Sequence, residues 1–142
     1  MALGALVRIA GISDNPPGFF TDEASVGYNA YTVLNTGRDE HGESCPLLFR
    51  AFGEYRLPVF IYSLLPFVAA LGLTEFAVRL AAATYGTLAI LTTYLFVAQA
   101  FHRRSVGLAA AFFLAIMPWH IHYSRTGFGE LISFPPFLAL GL

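Results

Sequence analysis

Long uncharged runs alternate with short polar breaks along this chain, and the lengths of the runs set the first expectations. Leu80 to Phe101 carries no charged residue, and its length of about 22 residues matches the roughly 20 that a helix needs to cross a bilayer. Val106 to Tyr123 is a second run of about 18 residues, bordered by Trp119 and Tyr123, which suit the headgroup level. Leu131 to Leu142 is a third apolar run that stops with the sequence, and Ala2 to Ile12 is a short one interrupted by Arg8. Pro58 to Leu73 is apolar as well, but about 16 residues make only roughly 24 Å of helix, and Pro66 lies inside it. The pattern predicts an all-α, multi-pass transmembrane helical bundle. Spans are expected over 80–101 and 106–123, with partial ones over 1–12 and 131–142, while 58–73 lies in or dips into the interface. On this reading 1–142 is a single transmembrane module truncated at both ends.

The polar segment 13–57 holds seven acids against three arginines, a balance of −4. His102-Arg103-Arg104 follows the best span, and short Arg-rich loops stay on the cytoplasmic side, which turns the acidic loop outward. Arg79 then stands at the outer start of the span, and Ser124 to Glu130 lies outside too. Two polar clusters distant in sequence are thereby expected to meet at one membrane face. Within the acidic loop, Asn15-Pro16-Pro17-Gly18 is turn chemistry. A helix is predicted after it, with Thr21 as N-cap, Asp22 and Glu23 complementing the helix dipole, and Gly37 as the C-terminal stop. Ala24, Tyr28, Tyr31 and Leu34 recur at helical spacing and give that helix an aromatic apolar face, suited to lying on lipid.

Composition narrows the classes further. Of the 142 residues 56% are hydrophobic and only 12% charged, with a mean hydropathy of +0.62, unlike an ordinary soluble domain. Net charge is −1 and all eight basic residues are Arg, which leaves no strongly basic surface to grip a nucleic-acid backbone. The single cysteine, Cys45, can neither close an internal disulfide nor build a thiolate zinc site. His120 and His122, two apart on a helix, point about 200° from one another and cannot share an ion. Asp39-Glu40-His41 reads as a solvated loop. No metal and no cofactor is expected.

Several stretches carry a resemblance. Pro17-Gly18-Phe19-Phe20-Thr21-Asp22-Glu23-Ala24, Gly27-Tyr28-Asn29-Ala30-Tyr31, Thr36-Gly37-Arg38-Asp39-Glu40-His41-Gly42 and Pro118-Trp119-His120 followed by Ser124-Arg125 resemble the N-terminal part of polyprenyl-phosphate-sugar-dependent membrane glycosyltransferases. These are the GT-C type enzymes grouped around protein O-mannosyltransferases and the lipid A aminoarabinose transferase. The resemblance runs from about Asn15 onward, over roughly the first third of a typical member. It implies an integral membrane glycosyltransferase of a bacterial inner or plasma membrane, working on the extracytoplasmic side, with the activity belonging to the full-length parent and the fragment alone expected to be inactive. Its partners would be a polyprenyl-phosphate-sugar donor, a hydroxyl acceptor and membrane lipid. It also implies Asp22 as catalytic base, with Glu23 beside it.

The residue types make chemical sense of that expectation. Displacing a phosphate from a sugar carbon requires deprotonation of the incoming hydroxyl and stabilisation of the negative leaving group. Attack opposite the departing phosphate would invert the anomeric centre. Arg125 and Arg79 are candidates for the phosphate, because guanidinium pairs bidentately with its oxygens. Tyr28, Asn29 and Glu130 are further candidate substrate contacts, although Gly129 shifts Glu130 by one residue from the family's usual acid. Each has a structural rival: Asp22 and Glu23 as helix-dipole partners, Arg79 as an interfacial anchor that snorkels. Two other function classes stay open at this point. A non-catalytic polyprenyl-lipid-binding or assembly module needs neither acid, and a transporter segment would place its polar residues inside the spans.

Overall fold

Local signals account for where each helix starts and stops. The computed structural model of the protein describes residues 1–128. Helix α1 covers Ala2–Ile9, and a turn-rich connection leads to α2, Thr21–Thr36. The cap falls one residue before the expected Thr21: Phe20 is the N-cap, and Glu23 reaches back to accept its N–H at 3.1 Å. Gly37, at φ 69°, ends α2 and donates its N–H to Val33 O at 2.9 Å. Strands β1 (Phe49–Ala51) and β2 (Glu54–Arg56) form an antiparallel hairpin that pairs Phe49 with Arg56. Its two turn residues, Phe52 and Gly53, both have positive φ, as such tight hairpins require. Helix α3, Pro58–Leu71, opens on a proline whose missing N–H costs nothing there. Helix α4, Glu75–Ala100, is capped by Thr74, whose Oγ1 accepts the Ala77 N–H at 3.2 Å. Helices α5 (Arg104–Ile116) and α6 (Pro118–Arg125) complete the described chain.

The core sits where α2, α3 and α4 meet under the hairpin. Val26, Ala30 and Val33 of α2 pack with Phe60, Ile61, Leu64 and Val68 of α3, with Val78, Ala81 and Ala82 of α4, and with Phe49 of β1. Small residues make α4 the hub: Ala77, Ala81, Ala82, Ala83, Gly86 and Ala89 are all buried, and all five other helices approach it. At Gly86 even a methyl group would collide with the Ser124 side chain of α6. Helix α5 runs back along α4, and α6 returns against α4 and α1. The stripe Ala24, Tyr28, Tyr31 and Leu34 is exposed, and the opposite face of α2, through Glu23, Val26, Ala30 and Val33, is the buried one.

The expected multi-pass transmembrane bundle is not what the chain forms. Among the described residues one helix, α4, is long and apolar enough to cross a membrane; α5 and α6 pass that test only as a pair, bent by 60° at the break between them. Nor is the fold all-α, since it contains the two-stranded sheet. The physical reasons are local. Pro118 has no N–H and holds Met117 in an extended conformation (φ −65°, ψ 117°), so the apolar run 106–123 cannot continue as one helix. Helix α3, at 14 residues, is an apolar helix that packs through Phe60, Ile61, Leu64 and Val68 into the core. Helix α1 has eight residues, and its Arg8 is wholly buried rather than held at a headgroup. Of the apolar stretch of α4, 33% is buried against neighbouring helices, and an apolar run cannot distinguish such packing from contact with lipid. The expected partial span 131–142 lies outside the described residues.

Candidate active site

The two adjacent acids at the start of α2 are placed in opposite circumstances. Glu23 is fully buried, and both of its oxygens are engaged. Oε1 accepts from Arg79 Nε at 3.2 Å and from the Gly127 N–H at 2.6 Å; Oε2 accepts from Arg79 Nη2 at 3.3 Å and from the Phe20 N–H at 3.1 Å. Asp22, one residue earlier, keeps 40% of its side chain exposed. A helical step of about 100° accounts for the difference, turning Glu23 inward toward α4 and Asp22 toward the hairpin. Asp22 Oδ1 accepts from Arg56 Nη2 at 2.5 Å, and its other oxygen takes no hydrogen bond among the described residues. Arg56 comes from β2 and is opposite Phe49, so its side chain stands on the face of the hairpin that meets the core.

The buried arginines are committed to the protein itself. Arg79, on α4, donates from Nη1 to Ile12 O (3.2 Å) and Pro16 O (3.0 Å), from Nη2 to Gly18 O (2.5 Å), and pairs with Glu75 at 2.5 Å in addition to Glu23. Arg125, on α6, donates to three carbonyls of the same connection and its approach: Val7 O at 2.7 Å, Gly11 O at 2.9 Å and Asn15 O at 2.9–3.0 Å. Arg8 donates to Gly4 O, Leu114 O, Ala115 O, Ser124 Oγ and His120 Nδ1, joining α1 to α5 and α6. Three guanidiniums thus bind carbonyl groups of the 10–20 connection and of the last turns of α1 and α5. Arg79 and Arg125 fix the 10–20 connection from two sides, Arg125 through backbone carbonyls and Arg79 through carbonyls and the carboxylates of Glu23 and Glu75.

Asn29 and Tyr28, neighbours on α2, also separate. Asn29 is buried and forms a reciprocal pair with the loop above it: Nδ2 donates to Glu40 Oε1 at 2.9 Å, and Oδ1 accepts the Glu40 N–H at 3.2 Å. Tyr28 is exposed. The loop is held a second time where Tyr62 of α3 donates its hydroxyl to Pro46 O at 3.0 Å. Burial, with Cys45 and Asp39 nearby, pushes that phenol above its ordinary value and keeps it a donor. Among the described residues no group of three His, Cys, Asp or Glu side chains could hold a metal ion. Glu130 lies outside the described residues.

The structure therefore brings Glu23 and Arg79 together, sets Asp22 apart with Arg56, and places Arg125 about the same connection as Arg79. Arg56 and Arg8 had not been singled out from the sequence. For Arg56 the signal was available: Phe49-Arg50-Ala51 and Glu54-Tyr55-Arg56 alternate about Phe52-Gly53, the spacing of a tight hairpin. Compared with protein-family models, curated proteins and solved structures, the chain matches none.

Proposed function

We propose that the protein transfers a sugar from a polyprenyl-phosphate-linked donor to a hydroxyl acceptor at the outer face of a membrane, with Asp22 as the base. The observation that supports this reading best is the inequality of the two acids. A base must be open to its substrate and hold an unoccupied lone pair; Asp22 is 40% exposed with one oxygen that accepts nothing among the described residues, whereas Glu23 is buried with both oxygens engaged. Arg56 holds one oxygen of Asp22 and so aims the other. Glu23 and Arg79 act behind it, as the clamp that keeps the start of α2 against α4 and the 10–20 connection. The donors of Arg79 and Arg125 are spent on carbonyls and carboxylates, so the cation that meets the donor phosphate is sought elsewhere, with Arg56 the nearest guanidinium to the base. Attack by the activated hydroxyl in line with the departing phosphate inverts the anomeric centre. Exposed Leu88, Leu91, Leu95 and Phe96 on α4, with Phe112 and Phe113 on α5, suit a seat in lipid for the end of the molecule away from Asp22.

Two measurements test the reading. The protein in lipid vesicles, given labelled polyprenyl-phosphate sugar and candidate hydroxyl acceptors, is expected to release polyprenyl phosphate as the sugar moves. Donor bound without any transfer would instead favour a non-catalytic carrier-binding module. Placement is tested separately with a membrane-impermeant thiol reagent. Cys45 is exposed on the loop that Asn29 and Tyr62 hold, whereas Ser105 lies beyond the far end of α4. In intact cells Cys45 is expected to react, and a cysteine placed at Ser105 only after permeabilisation. The reverse pattern overturns the outward placement of Asp22.

A further inference from the structure

A hollow of about 390 Å³ opens between α2, the hairpin turn and the loop at Glu40. Three aromatic residues line it, Phe19, Tyr28 and Phe52, all exposed. Among the described residues that line it, Glu40 is the only charged one. Its carboxylate is held in place by the neutral Asn29, which occupies Oε1; Oε2 accepts no hydrogen bond among the described residues. Ser25, 8% exposed, is also part of the wall, and its hydroxyl is buried with no hydrogen-bond partner among the described residues. The reciprocal Asn29–Glu40 pair orders the acid before anything binds, since its loop is fixed on α2 through backbone and side chain together.

We infer that this hollow binds the alkylammonium group of a cationic ligand. Aromatic faces carry negative potential and attract a cation, above all one with a greasy surface such as a methylated or alkyl-substituted ammonium. Glu40 supplies the counter-charge; His41 Nε2 lies 3.9 Å from its Oε1, and among the described residues no guanidinium lines the hollow. The same acid repels a phosphate or carboxylate ligand. A neutral sugar ring would need several donors and acceptors spread along its edge, whereas the polar side chains here are Glu40, Thr21, Tyr28 and a Ser25 whose hydroxyl is buried. This inference does not depend on sugar transfer and is tested by binding alone.

The experiment is a calorimetric titration of the protein, in micelles of an uncharged detergent, with choline and with its neutral isostere 3,3-dimethylbutan-1-ol. Choline is expected to bind at least about fivefold tighter, the scale of a cation at an aromatic site. Glu40→Gln keeps the acceptor that Asn29 uses and is expected to abolish that preference. Phe52→Gly removes a ring at a position of positive φ that glycine tolerates better, so its expected loss of about fivefold in choline affinity cannot be put down to a strained turn. Repeating the titration in nanodiscs of phosphatidylcholine and of phosphatidylglycerol separates the sources: loss of choline binding in the first alone assigns a lipid headgroup, and equal binding in both assigns a free amine. Equal affinity for the neutral isostere, unchanged binding in Glu40→Gln, or displacement of choline by a methyl glycoside overturns the inference.

Discussion

Asp22→Asn is expected to lower turnover by about 10²–10⁴, the usual worth of a general base, while the protein stays folded and still binds its donor. Asparagine is nearly isosteric, and its carbonyl oxygen can still accept from Arg56 where Oδ1 does now. What it cannot do is take the proton of an incoming hydroxyl. The structural losses are small: the helix-dipole interaction of one exposed acid is worth about 0.3–1 kcal/mol, and a partly exposed ion pair about 0–1 kcal/mol. The fall should appear in kcat, with donor binding little changed, because the base acts on the acceptor's proton in the transition state. The measurement is sugar transfer from a polyprenyl-phosphate donor, with protein level and donor binding followed in parallel. Near-normal turnover would sink the assignment and leave Asp22 as a partner of the helix dipole and Arg56.

What the residue pattern made legible was local. The start of α2 near Thr21, its stop at Gly37 and its two faces follow from capping residues and helical spacing, all written within sixteen consecutive positions. That an apolar helix over 58–73 precedes a longer one was also visible, though the longer one was expected over 80–101 and begins at Glu75, and the role of the first was not legible. Apolar length cannot say whether a helix faces lipid or protein, so α3 was expected at a membrane interface and is found supplying Phe60, Ile61, Leu64 and Val68 to the core. Pro118 was present in the motif Pro118-Trp119-His120, yet its effect on the preceding Met117 was overlooked and one long helix was expected where two meet at 60°.

The site divides in the same way. Adjacent acids at a helix start are easy to find, but which of them is free depends on what lies opposite each. That is decided by Arg79, 56 positions from Glu23, and by Arg56, 34 positions from Asp22. Arginine donors aimed at carbonyls leave no pattern of their own, because any residue supplies a carbonyl. Guanidinium chemistry makes Arg79 and Arg125 candidates for a phosphate, whereas in the fold the backbone at Ile12, Pro16, Gly18, Gly11 and Asn15 engages them.

Changing the neighbouring carboxylate by the same single atom is expected to do the opposite of Asp22→Asn. Glu23→Gln leaves the wholly buried Arg79 with the partly exposed Glu75 as its one remaining carboxylate and turns an amide N–H toward a guanidinium that can only donate. Breaking one side of a buried pair costs about 3–5 kcal/mol, so Glu23→Gln should unfold well before the native protein in a denaturant series followed by circular dichroism. Arg79→Met should cost at least as much, since it also strands the carbonyls of Ile12, Pro16 and Gly18. The double variant should be less damaged than the sum of the two, because each single change is severe chiefly through the charge it leaves behind. Glu75 remains near Arg79 in Glu23→Gln, but its side chain is 34% exposed and cannot replace a carboxylate that also accepts the N–H groups of Phe20 and Gly127. If Glu23→Gln proved as stable as the native protein and lost turnover instead, the clamp would be reassigned as chemistry and the division of labour between the two acids would be reversed.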